Sequence, residues 1–258
     1  MITAVAVCPH PPLLLPEIAA GAAPELDVLR AACDDAIARL LATALEQVVV
    51  VGTDDGPVPG GLRGFAPGLA FVADPPPVDP PAVESPAVDP PAVESPAAEP
   101  ALALPLSLLI GSWLLDRAGD GRPRVLFGVR PDGHPATAWP ELAVPTGLLV
   151  MADGSARRSL KGAGYLDDRA APFDAAIVKA LTDADAETLV ALDVALAAEL
   201  LVGGVGAFKA LGALAAGEAK WTAQLHYDDD PYGVQYTVAS WVAASREPAA
   251  EVPGAAPR

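Results

Sequence analysis

Residues 47–56 read QVVVVGTDDG, an uninterrupted apolar run that ends in a turn containing two aspartates. Four consecutive valines, with no polar residue alternating between them, are typical of a strand that is buried on both faces. Such strands belong to parallel sheets that are covered by helices on both sides. The stretch therefore predicts an α/β protein in which Asp54 and Asp55 follow the carboxyl end of a central strand.

The rest of the chain alternates strand-like and helix-like segments in agreement with this prediction. Helices are expected at residues 25–46, 101–117, 170–181, 185–201 and 205–216, and strands at 2–7, 47–51, 124–129, 147–151, 221–227 and 236–242. We predict a single α/β domain formed by residues 1–73 and 101–245. Its central sheet is expected to be mainly parallel or mixed, with helices on both faces.

A tandem repeat interrupts this pattern. Residues 78–87 read VDPPAVESPA, and residues 88–97 repeat them letter for letter. A segment so rich in proline and free of aromatic residues cannot form a helix or a central strand, so residues 74–100 are predicted to be a disordered, polyproline-like insert. The Pro- and Ala-rich residues 246–258 are predicted to form a flexible tail.

Composition restricts the partners and the compartment. The formal net charge is −17 and 52% of the residues are apolar, and no basic stripe offers a surface for nucleic acid. Two cysteines are too few for a disulfide framework. The amino terminus lacks the basic start of a secretory signal, and Pro105 interrupts the apolar segment 101–115, which is too short to span a membrane. We expect a cytoplasmic protein without membrane or nucleic-acid partners, and the sequence leaves homo-oligomerisation open.

Several polar residues follow predicted strands, where ligands bind in open α/β sheets. They are expected to meet at one edge of the sheet, and they are His10, Asp54, Asp55, Asp153, Ser155 and Lys161. Each has a purely structural alternative. Aspartate and serine next to glycine are common turn formers, His10 could be a packed core histidine, and Lys161 in LKGAG is only a weak candidate for binding an anion.

The remaining histidines and an aspartate cluster have simpler interpretations. His134 follows a turn signature and is expected to be exposed, whereas His226 lies in a predicted strand. Residues 228–230, three consecutive aspartates, lack the spacing of a calcium loop and are expected to form a solvated turn.

Five segments in order resemble the LigB-like domain of class III extradiol ring-cleavage dioxygenases and the related Memo-like proteins. They read VAVCPHPPLLLPEI, VVVVGTDDG, MADGSARRSLKGAGYLDDRAAPFD, LLVGGVGAFKALGAL and QLHYDDDPYGVQYTVASWV. The resemblance covers most of the chain outside the insert and the tail. It implies a single α/β domain and, in the active members, Fe(II) held by two histidines and a glutamate, with another histidine as acid and base toward a catechol.

This sequence departs from that pattern at three of four positions. The first metal histidine corresponds to His10, but the second is expected where Asp54 and Asp55 stand. The acid–base histidine is expected directly after Ser155, where Ala156 stands, and the last ligand falls near Gly203, with Glu199 one helical turn earlier.

The resemblance and its departures leave three hypotheses. The first is a superfamily member with an eroded metal site that binds a small aromatic or other small molecule, with Asp153, Ser155 and Lys161 as pocket candidates. The second is a working metalloenzyme in which His10, Asp54 and Asp55 hold Fe(II) or another divalent ion. The third is an interaction protein that displays the repeat at 78–97. We adopt the first hypothesis, in which the site holds either a divalent metal or no cofactor at all.

Overall fold

The computed structural model describes residues 1–56, 104–135, 138–140, 142–162, 164–217 and 220–244. The predicted insert at 74–100, with its repeat, and the predicted tail at 246–258 lie outside the described residues. The described part has the α/β architecture that the sequence predicts, with one central mixed sheet and helices on both faces.

The strands occur where the hydrophobic pattern places them, with ends that differ by at most two residues. They are β1 (Ile2–Cys8), β2 (Gln47–Thr53), β3 (Arg124–Val129), β4 (Thr146–Met151), β5 (Trp221–Asp229) and β6 (Tyr236–Ala243). The helices are α1 (Pro16–Ala19), α2 (Asp27–Leu41), α3 (Leu106–Arg117), α4 (Ala170–Asp183), α5 (Ala186–Val190), α6 (Val194–Glu199) and α7 (Val205–Ala215). Short 3-10 segments at Pro12–Leu14 and Ala20–Leu26 flank α1.

The prediction of one helix at 185–201 is wrong, because two short helices occupy this range. Asp185 caps the first by accepting a hydrogen bond from the Thr188 N–H group. Asp193 starts the second, since its carboxylate accepts from the N–H groups of Ala195 and Leu196. An aspartate that caps backbone donors favours a helix start over a helix interior, and the chain restarts its helix there.

The six strands have the order β3-β2-β4-β1-β6-β5. Strands β3, β2, β4 and β1 are parallel to one another, and β6 and β5 continue the sheet in antiparallel fashion. The carboxyl ends of the four parallel strands therefore share one edge, which we call the carboxyl edge. The run Val48–Val51 is fully buried in β2 between β3 and β4, as its lack of alternation predicts.

Two helical layers cover the sheet. Helices α2 and α3 pack on the face that presents Ala4, Ala6 and Cys8, and helices α4 to α7 pack on the face that presents Val5 and Val7. Close contact requires glycine in α3, where a Cβ atom on Gly111 would lie 2.5 Å from Cγ1 of Val50. Among the described residues, no helix has the length and apolar character needed to span a membrane.

Candidate functional site

The connections that follow the parallel strands indicate where along the carboxyl edge a ligand can bind. Strand β1 leads into α2 on one face of the sheet, whereas the neighbouring strand β4 leads into α4 on the opposite face. Where adjacent connections leave on opposite faces, a crevice opens outside the carboxyl ends of the two strands, and ligands of α/β proteins bind there. The topology therefore places the candidate site between the ends of β1 and β4.

His10 and Asp153 meet in this crevice. Cys8 and Met151 are register partners at the ends of β1 and β4, and His10 and Asp153 each follow two residues later. The His10 backbone N–H donates to Asp153 Oδ1 at 2.7 Å, and His10 Nδ1 lies 3.5 Å from the same oxygen. His10 is only 7% exposed, and its buried Nδ1 has no hydrogen-bond partner among the described residues.

Asp54 and Asp55 lie on the other side of Asp153, because β4 separates β2 from β1. Asp54 is exposed and accepts a hydrogen bond from the Gly56 N–H at 3.1 Å, which is the turn-forming role that aspartate often has. Asp55 is also exposed, yet desolvation raises its pKa. His10 lowers this pKa, while Asp54 and Asp153 raise it. Asp55 thus lies within electrostatic range of His10 and of both other carboxylates.

Ser155 has a structural role. Its side chain is fully buried and donates to Asp174 Oδ2 at 2.5 Å, and its backbone N–H donates to Asp174 Oδ1 at 2.9 Å. Desolvation raises the pKa of the buried Asp174, against the effect of the Ser155 hydrogen bonds and of Arg158. The two ends of the DGS…FD segment are therefore bonded to each other, and Asp174 is a residue for which the sequence suggested no role.

Three further positions do not contribute side chains to the crevice. Lys161 is exposed, and no described residue forms an ion pair with it. Glu199 binds Arg169, with 2.7 Å between Arg169 Nη1 and Glu199 Oε2, and no hydrogen bond or ion pair among the described residues joins it to His10. Gly203 does lie beside Asp153, since a Cβ atom added there would be 3.7 Å from Asp153 Cβ, but as glycine it offers no ligand atom.

The sequence did not identify Tyr236 as a site residue. The Gly154 N–H donates to the Gln235 carbonyl at 2.8 Å, and the Gln235 N–H donates to the Ser155 carbonyl at 2.9 Å. These bonds bring the start of β6 against the segment that carries Asp153. Tyr236 is 4% exposed, and burial raises its pKa, with a further increase from Asp153. The signals in the sequence were the position of Tyr236 at the start of a predicted strand and its place in the last of the five resembling segments.

The other histidines behave as the simpler interpretations predict, but the aspartate cluster does so only in part. His134 is exposed at the surface. His226 in β5 is half-buried, with its Nε2 atom 2.8 Å from Ser240 Oγ. The solvated turn predicted at residues 228–230 is wrong for Asp228 and Asp229, because both are the last residues of β5 and pair with β6. Only Asp230 lies in the turn to β6, where it accepts a hydrogen bond from Arg158.

The residues present do not fit the Fe(II) centre that the resemblance implies. The 3.5 Å between His10 Nδ1 and Asp153 Oδ1 is a distance at which two atoms can share a metal ion. However, no group of three or more His, Cys, Asp or Glu side chains in the described ranges could hold one. The site provides one imidazole instead of two, and Ala156 offers no proton acceptor where the resemblance expects a histidine.

No protein-family model matches the chain, and no curated protein has a significantly similar sequence.

Proposed function

We propose that this protein is a member of the class III extradiol dioxygenase superfamily that has lost ring cleavage and binds a small molecule at the carboxyl edge. The ordered resemblance of five segments supports the family, and the six-stranded α/β fold is compatible with it. We further propose a cytoplasmic location.

One observation supports the location of the binding site in the crevice. His10 Nδ1 is buried without a hydrogen-bond partner among the described residues, in the crevice beside Asp153. A buried polar atom without a partner costs roughly 1–3 kcal/mol, and proteins tolerate such a cost where the atom serves a ligand. A small molecule that hydrogen-bonds to His10 and Asp153 would remove this cost.

The loss of ring cleavage follows from the side chains that surround the pair. Extradiol cleavage in the resembled family needs a redox metal with open coordination positions and a base that accepts the catechol proton. Asp54 is engaged in a turn, Ser155 is bonded to Asp174, and Ala156 has no proton-accepting group. The crevice can therefore hold a ligand, but it lacks the groups that would activate an aromatic ring for cleavage.

A binding screen tests this proposal directly. Uniformly 15N-labelled protein is titrated with catechol, benzamide, benzoate and benzylamine, and the backbone amide signals are followed by NMR. We expect at least one of these compounds to shift the signals of His10, Asp153 and Gly154, and we expect His10→Ala to abolish the shifts. Glu46→Gln is the matched control, because Glu46 is exposed just before β2 at the opposite edge of the sheet.

The proposal fails if none of the four compounds shifts carboxyl-edge signals at millimolar concentration. It also fails if His10→Ala and Glu46→Gln retain the same shifts as the natural protein. A thermal melt of each variant ensures that a lost response reflects the site and not unfolding.

A further inference from the structure

The candidate site carries an excess of negative charge. Asp54, Asp55 and Asp153 follow the neighbouring strands β2 and β4, and none of them forms an ion pair with a described lysine or arginine. The one described cationic partner within range is His10, whose Nδ1 lies 3.5 Å from Asp153 Oδ1 and is charged only when protonated. Asp54 and Asp153 both raise the pKa of Asp55, so the three carboxylates act on one another. Because like charges repel, a ligand that carries positive charge would be stabilised here and an anion would be disfavoured.

The hydrogen-bonding groups point to the same kind of ligand. Asp153 uses Oδ1 to accept from the His10 backbone, and no described residue donates to its Oδ2. His10 Nδ1, in a side chain more than nine-tenths buried, is an independent unsatisfied atom directed at this cluster. Asp153 Oδ2 is therefore an acceptor without a described donor, and His10 Nδ1 is a second unpaired atom that accepts or donates according to its tautomer.

Tyr236 adds an acceptor from the third strand at this position. The hydrogen bond from Gly154 to the Gln235 carbonyl holds the start of β6 beside Asp153. The phenol of Tyr236 makes no hydrogen bond with a described residue, although the side chain is 4% exposed. A neutral phenol can accept one hydrogen bond and donate another, so Tyr236 can contact a ligand that Asp153 also binds.

We propose that the ligand is an organic amine, whose primary ammonium group is held by Asp153, Tyr236 and the unpaired Nδ1 of His10 and attracted by Asp55. An ammonium group has three donors and one positive charge, which matches a site with a carboxylate, a phenol and further negative charge. The inference rests on the proposed small-molecule function and names the ligand class for that site. Tyr236 and Asp153 are ligand-contacting residues in this proposal.

Calorimetric titration with benzylamine tests the ligand class. Benzyl alcohol and benzoate are the matched probes, because they keep the ring and replace the ammonium group by a neutral or an anionic group. All titrations use about 0.15 M salt, where the Debye length is roughly 8 Å, to suppress non-specific attraction to the acidic chain. We expect benzylamine to bind at least tenfold more tightly than either matched probe. MnCl2 is titrated separately to detect a metal site.

Variants then locate the ammonium group. Asp153→Asn keeps an oxygen that can accept from the His10 N–H but removes the charge, and it should weaken benzylamine binding about tenfold or more. Tyr236→Phe keeps the buried ring and should weaken binding about threefold to tenfold. Glu46→Gln and Tyr165→Phe remove a charge and a phenol elsewhere, where both residues are exposed, and should leave binding unchanged.

Several results would overturn the amine proposal. These are equal binding of benzylamine and benzyl alcohol, unchanged binding in Asp153→Asn and Tyr236→Phe, or binding of Mn²⁺ without binding of benzylamine. If catechol or benzamide binds at this edge while benzylamine does not, the amine proposal fails and the proposed function stands. If none of the aromatic probes binds, both fail.

Discussion

The buried pair of Ser155 and Asp174 gives a quantitative prediction about the scaffold of the site. Ser155→Ala removes the 2.5 Å hydrogen bond to Asp174 Oδ2 while leaving the backbone bond to Oδ1 in place. A hydrogen bond to a charged group contributes about 1.5–3 kcal/mol. We therefore expect the free energy of unfolding to fall by about 2 kcal/mol. For a domain of this size that corresponds to a decrease in Tm of about 4–8 °C.

Ser112→Ala is the matched control for this change. Ser112 is 1% exposed, and its hydroxyl has no hydrogen-bond partner among the described residues. Removing it deletes a buried polar group without breaking a bond, so the stability should be unchanged or slightly higher. Both variants have the same chemical change at fully buried positions, and only the partner differs.

Urea unfolding followed by circular dichroism measures the two changes, and a double-mutant cycle isolates the pair. In the Asp174→Asn background, Ser155→Ala should cost clearly less than in the natural protein, since the charged acceptor is gone. If Ser155→Ala changes stability by less than about 0.5 kcal/mol, or by the same amount as Ser112→Ala, the hydrogen bond from Ser155 to Asp174 does not stabilise the fold.

Two further predictions concern packing and pH. A Cβ atom on Gly206 would lie 2.3 Å from the Arg130 carbonyl oxygen, so Gly206→Ala should destabilise the fold by about 1–3 kcal/mol. Gly203→Ala is the control, because a Cβ atom there would make only ordinary van der Waals contact, and it should change the urea midpoint little. Desolvation lowers the pKa of His226, so the unfolded chain takes up a proton below about pH 6.5 that the folded chain resists. The free energy of unfolding should therefore fall as the pH decreases through this range. Urea melts at pH 7.5 and 5.5 should show a smaller loss of stability in His226→Gln than in the natural protein, and an equal loss in both would contradict this prediction.

The sequence predicts much of the fold because the relevant signals are local. The apolar run at 48–51 marks a doubly buried strand, and the structure places it between two parallel neighbours. The prediction of one continuous helix at 185–201 was wrong for an equally local reason. Asp193 caps a new helix start, and this competed with an apolar pattern that continued through the break.

The site is predicted less completely because it depends on strand order, which the chain does not encode locally. His10 and Asp153 both follow strands, so their place at one edge could be expected, but only the adjacency of β1 and β4 makes them partners. The same order puts β4 between His10 and Asp54. Tyr236 was missed because its neighbours come from a return strand and a backbone pairing with Gly154.

Anaerobic loading with Fe(II), followed by metal analysis and oxygen uptake with catechol, tests whether the carboxyl edge is a working iron centre. We predict less than stoichiometric iron in the natural protein, the same amount in His10→Ala, and no catechol-dependent oxygen uptake in either. One iron per chain that is lost in His10→Ala, together with oxygen uptake that requires catechol, would contradict this prediction and identify a working metalloenzyme.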